Sequence, residues 1–301
     1  MRFSDRLNAR LFCIKFVVAI LFCFTPKNCL AQQATTGERE YLNVMTFNIR
    51  FNNPSDSANN WAFRKELVSS QILFHETHIL GVQEALFDQI QDLQERLPRY
   101  KLIGVGRDDG RTKGEFSAIF FDSTRLEAIT SGTIWLSPTP SIAGSKGWDA
   151  ALPRIATWVR LRDKQTRRFV NVINTHFDHQ GLQARKESAR CILKKLSEMQ
   201  PSATVAQHSI VMGDLNSIPT DDPAMIFSSV LKDSKVISRT PHYGPTGTFN
   251  GFGKSEQDDQ PIDYIFVSSD IDVMQHATLS QTWHGRFSSD HFPVVARLHL
   301  K

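Results

Sequence analysis

Ile210-Val211-Met212-Gly213-Asp214-Leu215-Asn216 is an apolar run that stops at a glycine and then delivers two polar groups two residues apart. Apolar runs of this length bounded by a turn residue read as buried strands. Side chains alternate along an extended chain, so Asp214 and Asn216 share one side. A carboxylate and an amide presented together at a strand end can polarise a water or touch a metal. Residues 213–216 alone also read as an ordinary turn, and the rest of the chain decides between the two.

Working outward, the same rhythm recurs. Residues 42–51 alternate around Val44, Thr46 and Asn48 and predict a strand, followed by a loop at 52–56. Asn60 is placed to cap a helix from Trp61, with Trp61, Val68 and Ile72 on its inner stripe and Leu67 beside them. Residues 79–83 form a short buried strand ending at Glu84. The next helix carries Leu86, Ile90, Leu93 and Leu97 on one face and is closed by Pro98. Strands are expected at 100–105, 116–121, 126–133, 156–161 and 169–177. A charged, glycine-rich loop spans 106–115, and a long irregular connection spans 137–153. Residues 181–199 predict a helix with Leu182, Ala189, Ile192 and Leu196 inward. Arg185 falls on that stripe and calls for an anionic partner. Strands follow at 209–214, 262–267 and 292–298. Strand runs with interspersed helices, lacking a strict βαβ rhythm, favour two packed sheets covered by helices.

The beginning of the chain reads differently. Arg2, Arg6, Arg10 and Lys15 precede an apolar run at 16–24, and small or mildly apolar residues follow at 29–31. That order predicts a signal peptide over residues 1–31, cleaved after Ala31, and hence export to the periplasm or medium. The apolar run is short for a bilayer span, so no transmembrane anchor is expected after cleavage. Residues 32–41 are expected to be a flexible tail, and 42–301 one domain.

The leader also explains the charge. The chain has 35 Lys and Arg against 31 Asp and Glu. Residues 1–31 hold five of the former and one of the latter, which leaves 30 of each. The basic balance is therefore no argument for an extensive nucleic-acid surface. Three cysteines go with the leader, and Cys191 alone remains, so stability must come from a core rather than disulfides.

Polar residues gather where the predicted strands end. Asn48, Glu84, His176 with Asp178, Asp214 with Asn216, Asp263, and Asp290 with His291 all stand at or near such ends. If the ends converge, they make a cleft of oxygen ligands with two histidines. Hard cations such as Mg²⁺ or Mn²⁺ prefer such oxygens, and Asn48, Glu84 and Asp290 are the candidate ligands. Asp214 could orient or deprotonate a water. His291 with Asp263 or Asp290 is a candidate braced pair, and His176 a second acid or electrostatic group. Each residue alone also has a plain structural use, as a turn cap, a helix-dipole charge or a satisfied core histidine.

The ordered set Thr46-Phe47-Asn48, Gln83-Glu84, Asn174-Thr175-His176, Gly213-Asp214-Leu215-Asn216, Ile262-Asp263-Tyr264-Ile265 and Ser289-Asp290-His291 resembles the endonuclease/exonuclease/phosphatase superfamily. The resemblance covers residues 42–300. It implies an α+β fold, a four-layer αββα sandwich of two mainly antiparallel sheets flanked by helices. It also implies a divalent metal bound by Asn48 and Glu84, and hydrolysis of a phosphoester. By the same resemblance Asp214 and Asn216 position nucleophile and phosphate, while His176 and His291 act on the phosphate. Residues 104–110, 114–116, 146–149, 153–154, 175–179 and 248–252 are similar to a bacterial exported branch. Substrate contacts are expected from Arg50, Glu115, Arg154, Asp178, Arg185 and Asn250, the arginines because their fork matches phosphate oxygens.

The resulting expectation is a monomeric, exported, metal-dependent phosphoric ester hydrolase whose partner is a phosphorylated substrate. A nuclease would need a local basic strip, for which Arg50, Arg107, Arg111, Lys113 and Arg154 are the candidates. A phospholipid or sphingomyelin phosphodiesterase would need an exposed apolar hairpin, hinted at only by Trp135-Leu136 and Trp148. A binding module without activity is opposed by the completeness of the six motifs.

Overall fold

A computed structural model describes residues 40–199, 208–253 and 259–301. The expected leader and residues 32–39 of the expected tail lie outside the described residues. Tyr41, the last residue of that tail, is already strand, paired with His299. Arg39–Lys301 forms one compact unit.

The strands in chain order are β1 Tyr41–Asn48, β2 Ile79–Ala85, β3 Tyr100–Ile103, β4 Phe116–Asp122, β5 Leu126–Trp135, β6 Ile155–Asp163 and β7 Phe169–His176. They continue with β8 His208–Asp214, β9 Lys232–Asp233, β10 Asp263–Val267, β11 Ile271–Thr278, β12 Thr282–Trp283, β13 Arg286–Phe287 and β14 Val294–Leu300. The α-helices are α1 Trp61–Phe74, α2 Phe87–Arg96, α3 Leu182–Glu198, α4 Asp222–Ser228 and α5 Ser234–Ile237. One six-stranded sheet has the order β11-β14-β1-β2-β4-β3 and the other β5-β6-β7-β8-β10-β9. Each sheet is antiparallel except for one central pair, β1 with β2 and β7 with β8.

Three apolar cores hold the layers. Between the sheets, Val44, Ile79, Ile119 and Leu298 meet Val159, Val172, Ile210 and Ile265. Outside the first sheet, Phe47, Leu80 and Phe120 receive Trp61, Val68 and Ile72 of α1 and Ile90 and Leu93 of α2. Outside the second, Ile173, Val211 and Phe266 receive Ala189, Ile192 and Leu196 of α3 and Phe227 of α4. Full burial of each such side chain stabilises by about 1.5–3 kcal/mol. The expected αββα sandwich is thus the fold observed. Asn60 caps α1 as expected, its side chain accepting from Ala62 N at 3.1 Å.

Several expectations are corrected. Leu182 is 72% exposed although Ala184 and Arg185 in the same first turn of α3 are buried, so the inner stripe starts two residues later than expected. The edge strand β11 has no counterpart among the expected elements. Its central residues bulge against β14 between Val273 and Gln275, which breaks the alternation that a sequence pattern needs. Trp135 and Leu136 are buried, the Trp135 indole donating to Arg107 O at 2.7 Å, which is the core role that the sequence favours for them over a membrane hairpin, whereas Trp148 is 38% exposed. Among the described residues no helix is long and apolar enough to cross a membrane.

Candidate active site

The topology brings the strand ends together. In the second sheet, His176 of β7 lies in register with Asp214 of β8, which lies in register with Asp263 of β10. In the first, β1 ends at Asn48 beside Gln83 of β2. The pairing of β2 with β4 slips between Val82 and Ala85, and this bulge carries Glu84. Gly213 makes the crowded approach possible: a Cβ there would lie 2.0 Å from Thr175 O. Arg50, Glu84 and Asn216 all adopt positive φ, a conformation that costs side-chain-bearing residues energy and clusters at functional sites.

These ends line a pocket of about 490 Å³, whose walls include Arg50, Glu84, Glu115, Arg154, His176, Asp214, Asn216, Asp290 and His291. Phe51, Leu152, His179, Phe249 and Ile262 complete it. A cavity of similar size, about 430 Å³, lies against β1, β11 and β14 but gathers no comparable set of carboxylates.

At the floor, Asn48 donates through Nδ2 to Glu84 Oε1 at 3.1 Å and to Asp214 Oδ2 at 3.0 Å. Asn216 donates through Nδ2 to Phe177 O at 3.0 Å, and the same nitrogen is 3.1 Å from His176 Nε2. His291 Nδ1 is 2.9 Å from Asp263 Oδ2. That oxygen also accepts from Thr248 Oγ1 at 2.6 Å. Phe249 sets its ring edge-on to the His291 imidazole at 5.1 Å. The buried Arg64 ties the two rims together, donating through Nη1 to Ile49 O at 2.7 Å and Ser288 O at 2.8 Å.

The two histidines sit in opposite fields. Burial, with Arg154 and Arg107 nearby, pushes His176 well below its ordinary pKa, which favours the neutral ring and, of the two expected roles, the electrostatic one over the acid. Burial works against the charge on His291 too, but Asp263, by charge and hydrogen bond, and then Asp214 and Asp290 hold it well above. Burial and the neighbouring Asp263 carboxylate raise Asp214 to about 7, against the pull of His291 and Asn48. Groups whose environments push their pKa values apart mark acid and base roles.

Two sets of groups could hold a cation. Ligand atoms of Asp214, Asp263 and His291 lie within 4.8 Å of one another. There Asp263 Oδ2 is engaged by Thr248 and His291, while its buried Oδ1 has no hydrogen-bond partner and stays available to a cation. The hard-oxygen alternative is Glu84 with Asp290. Arg50 stands 3.9 Å from Glu84 Oε2 and 3.7 Å from Asp290 Oδ2, too far for a close pair with either. The nearness of Glu84 raises Asp290 further after burial has done so, which a divalent cation would relieve. Glu84, whose oxygens accept from Asn48 Nδ2 and Phe51 N, and Asp290 offer the oxygen chemistry that a hard cation prefers. Asn48, whose Oδ1 accepts from Arg50 N at 3.1 Å, would have to turn its amide to join them.

The expected substrate contacts divide. Arg50, Glu115 and Arg154 line the pocket. Asp178, Arg185 and Asn250 are not among its lining residues. Asp178 accepts from Gln180 N and Gly181 N at 3.0 and 2.8 Å and from Arg154 Nε at 3.4 Å. Arg185 donates to Asp178 O at 3.1 Å, so its inward partner is a carbonyl rather than an anion. Asn250 donates to Ser289 O at 3.2 Å and thereby braces the Asp290 loop. Phe249 and His179 line the pocket and Thr248 donates to Asp263, three positions that the strand-end pattern does not single out, because a loop supplies Thr248 and Phe249, and His179 follows an already assigned histidine.

Comparison with known proteins agrees with this geometry. Residues 45–291 match the Endonuclease/Exonuclease/phosphatase family. No curated protein sequence matches the chain. An endonuclease/exonuclease/phosphatase from Bacteroides vulgatus is 38% identical, with a TM-score of 0.82, over 87% of this chain and 99% of that one. A mannosyl-6-phosphatase from Bacteroides thetaiotaomicron is also 38% identical, with a TM-score of 0.81, over 85% of this chain and 99% of that one. The human Nocturnin catalytic domain, 23% identical with a TM-score of 0.68 over 87% and 96% of the two chains, shares the fold. The chain belongs to the endonuclease/exonuclease/phosphatase family and is a phosphoric ester hydrolase.

Proposed function

We propose that the chain is an exported, monomeric, divalent-metal-dependent phosphomonoesterase that uses water to cleave the phosphate from a small phosphorylated molecule, a sugar phosphate being the favoured class. The observation that carries this reading is the opposed pair at the pocket floor, Asp214 poised near neutral pH and His291 held cationic, with 3.8 Å between Asp214 Oδ2 and His291 Nε2. A base near pH 7 accepts a proton from water efficiently. The adjacent imidazolium stabilises negative charge on the phosphoryl oxygens as the water attacks. Asn216 and His176 orient the same water or phosphate through neutral hydrogen bonds. A Mg²⁺ or Mn²⁺ ion held by Glu84 and Asp290 supplies further neutralisation of phosphoryl charge when bound.

The pocket volume suits a small ligand. The similar mannosyl-6-phosphatase points toward sugar phosphates. A nuclease is the second reading within the same chemistry, and the proposed basic strip argues against it. Arg107 is buried and paired with Glu115 at 2.7 Å, Arg154 is buried against Asp178, and Arg50 is paired with Asp56 at 3.0 Å. Only Arg111 and Lys113 of the five are exposed.

The test is hydrolysis by purified protein of hexose phosphates and 4-nitrophenyl phosphate, followed as phosphate release, and of bis-nitrophenyl phosphate, single-stranded DNA and sphingomyelin, followed as nitrophenol, shortened strands and phosphocholine, with Mg²⁺, Mn²⁺ or EDTA. Turnover of monoesters that EDTA abolishes is expected. Faster cleavage of DNA or sphingomyelin than of every monoester would replace this reading. Mass spectrometry of the exported protein is expected to find a start at or near Gln32, and light scattering a monomer.

A further inference from the structure

The segment Thr175-His176-Phe177-Asp178-His179 supplies four polar side chains, of which only His176 has a part in the chemistry proposed above. His179 is exposed and lines the pocket. Its Nδ1 lies 3.1 Å from Arg154 Nη2. Arginine has only donors, so Nδ1 must accept that hydrogen bond. The single proton of the ring is therefore on Nε2, at the opposite edge of the imidazole from Arg154.

That arrangement is held from behind. Arg154 is 4% exposed and gripped by Asp178. Asp178 is itself fixed by the backbone N–H groups of Leu152, Gln180 and Gly181 at 3.2, 3.0 and 2.8 Å. Burial alone would raise this carboxyl, but those N–H groups hold it well below the ordinary aspartate range. The relay Asp178–Arg154–His179 thus orients one ring edge and decides which nitrogen is its donor.

The groups suited to phosphate, His176, Asp214 and His291, are buried at the pocket floor, whereas His179 stands at its exposed edge. A substrate with its phosphate at the floor carries its leaving group past His179. A ring N–H with one fixed hydrogen is matched by a neutral oxygen acceptor. Glu115 also lines the pocket, and its carboxylate, held by Arg107 at 2.7 and 2.8 Å, has lone pairs left to accept a hydroxyl proton. We propose that His179 is a specificity-determining residue that donates from Nε2 to a hydroxyl or ring oxygen of the leaving group, and so selects polyhydroxylated phosphomonoesters over phenyl phosphates. The inference rests on the phosphomonoesterase reading above and adds what that reading leaves open, the side chain that recognises the leaving group.

Two substitutions separate substrate contact from support of Arg154. His179→Asn keeps an acceptor close to the position of Nδ1 and removes the outward donor. His179→Phe removes both. The measured quantity is the ratio of kcat/KM for a hexose 6-phosphate to that for 4-nitrophenyl phosphate. Both variants are expected to lower it by about 3- to 10-fold, the worth of one neutral hydrogen bond, chiefly through KM for the sugar phosphate. Thermal melting of each variant shows that it is folded. A ratio preserved in His179→Asn and lost only in His179→Phe would mean that His179 merely supports Arg154, and would overturn the proposal. A ratio unchanged in both variants would overturn it as well. If the wild-type enzyme hydrolyses no phosphomonoester, this inference and the reading beneath it fall together, whereas an active enzyme with an unchanged ratio sinks this inference alone.

Discussion

Replacing Asp214 with asparagine removes a group whose ionisation the fold resists. Burial raises its carboxyl from 3.8 to about 7, with Asp263 adding to the effect and His291 and Asn48 opposing it. Between those two pH values the unfolded chain has lost the proton and the folded chain keeps it. The sign follows: the folded state binds more protons, so this group makes stability fall as pH rises from about 4 to about 7, and adds no further slope above. An aspartate held by a salt bridge does the opposite. About three pKa units correspond to roughly 4 kcal/mol. His291 faces Asp214 across 3.8 Å and opposes the rise, so about half of that, ~2 kcal/mol, is the expected share of the single substitution.

Asparagine carries no proton, so it lacks this slope. It can still accept from Asn216 N, as Asp214 Oδ1 does at 2.9 Å. Its new N–H₂ faces the Asn48 amide, a clash of donors that adds a constant penalty without pH dependence. The diagnostic is therefore how the difference between the proteins changes with pH, not the difference at one pH. Urea unfolding of both, followed by circular dichroism in EDTA at about pH 5 and about pH 8, measures it. The variant should gain about 2 kcal/mol on the wild type across that range, while losing roughly 10²–10⁴-fold in kcat with metal present. Curves that stay parallel to within about 0.5 kcal/mol would show that Asp214 is ionised throughout and is not a base poised near neutrality.

Asp263→Asn removes the strongest upward pull on His291, so burial should hold the imidazole neutral; kcat is expected to fall about 10²–10⁴-fold, with the alkaline limb of its pH profile moved to lower pH. In the wild type the stability contributed by His291 is fully present below about pH 6.5 and lost as pH rises through its raised pKa, so a melting temperature unaffected by alkaline pH would count against that assignment. Gly213→Ala forces a Cβ to 2.0 Å from Thr175 O and should cost about 3 kcal/mol or more, visible as loss of cooperative melting; a stable, active variant would mean the strand ends are not this close. Arg64→Met strips donors from Ile49 O, Asn59 O and Ser288 O, and should cost about 3 kcal/mol while raising the metal concentration needed for activity; an unchanged metal titration would limit Arg64 to the fold.

The sandwich was legible because its central strands are buried on both faces and its helices on one. β8 is buried along its whole length and appears in the sequence as an apolar run, while α1 shows Trp61, Val68 and Ile72 at helical spacing. The edge strands β3 and β5 were legible too, at 100–105 and 126–133, but β9 and β11 were not. Beyond the bulge of β11, Gln275 is exposed and His276 is buried, so polarity and burial no longer agree. β9, β12 and β13 are two residues each, too short for any period to register.

Within the site, the legible residues are those that topology alone makes neighbours. His176, Asp214 and Asp263 meet because β7, β8 and β10 are adjacent and end in register, and each strand could be read by itself. What cannot be read so simply is whether a buried polar side chain faces substrate or faces the protein. Asp178, Arg185 and Asn250 carry the same chemistry as Glu115 and Arg154, and all five hydrogen-bond within the protein, but only Glu115 and Arg154 also line the pocket. The difference lies in where loops pass. Backbone N–H groups of residues 180 and 181 reach the Asp178 carboxylate before any ligand could, and Ser289 O reaches Asn250 in the same way. Loop paths depend on turns and close approaches fixed only when both sheets are assembled, as at Gly213 over Thr175. A polar residue at a strand end therefore signals a site, whereas one in the loop after it signals, with equal force, the scaffold that holds the site still; His179, one residue beyond Asp178, is separated from it only by standing at the pocket's open edge.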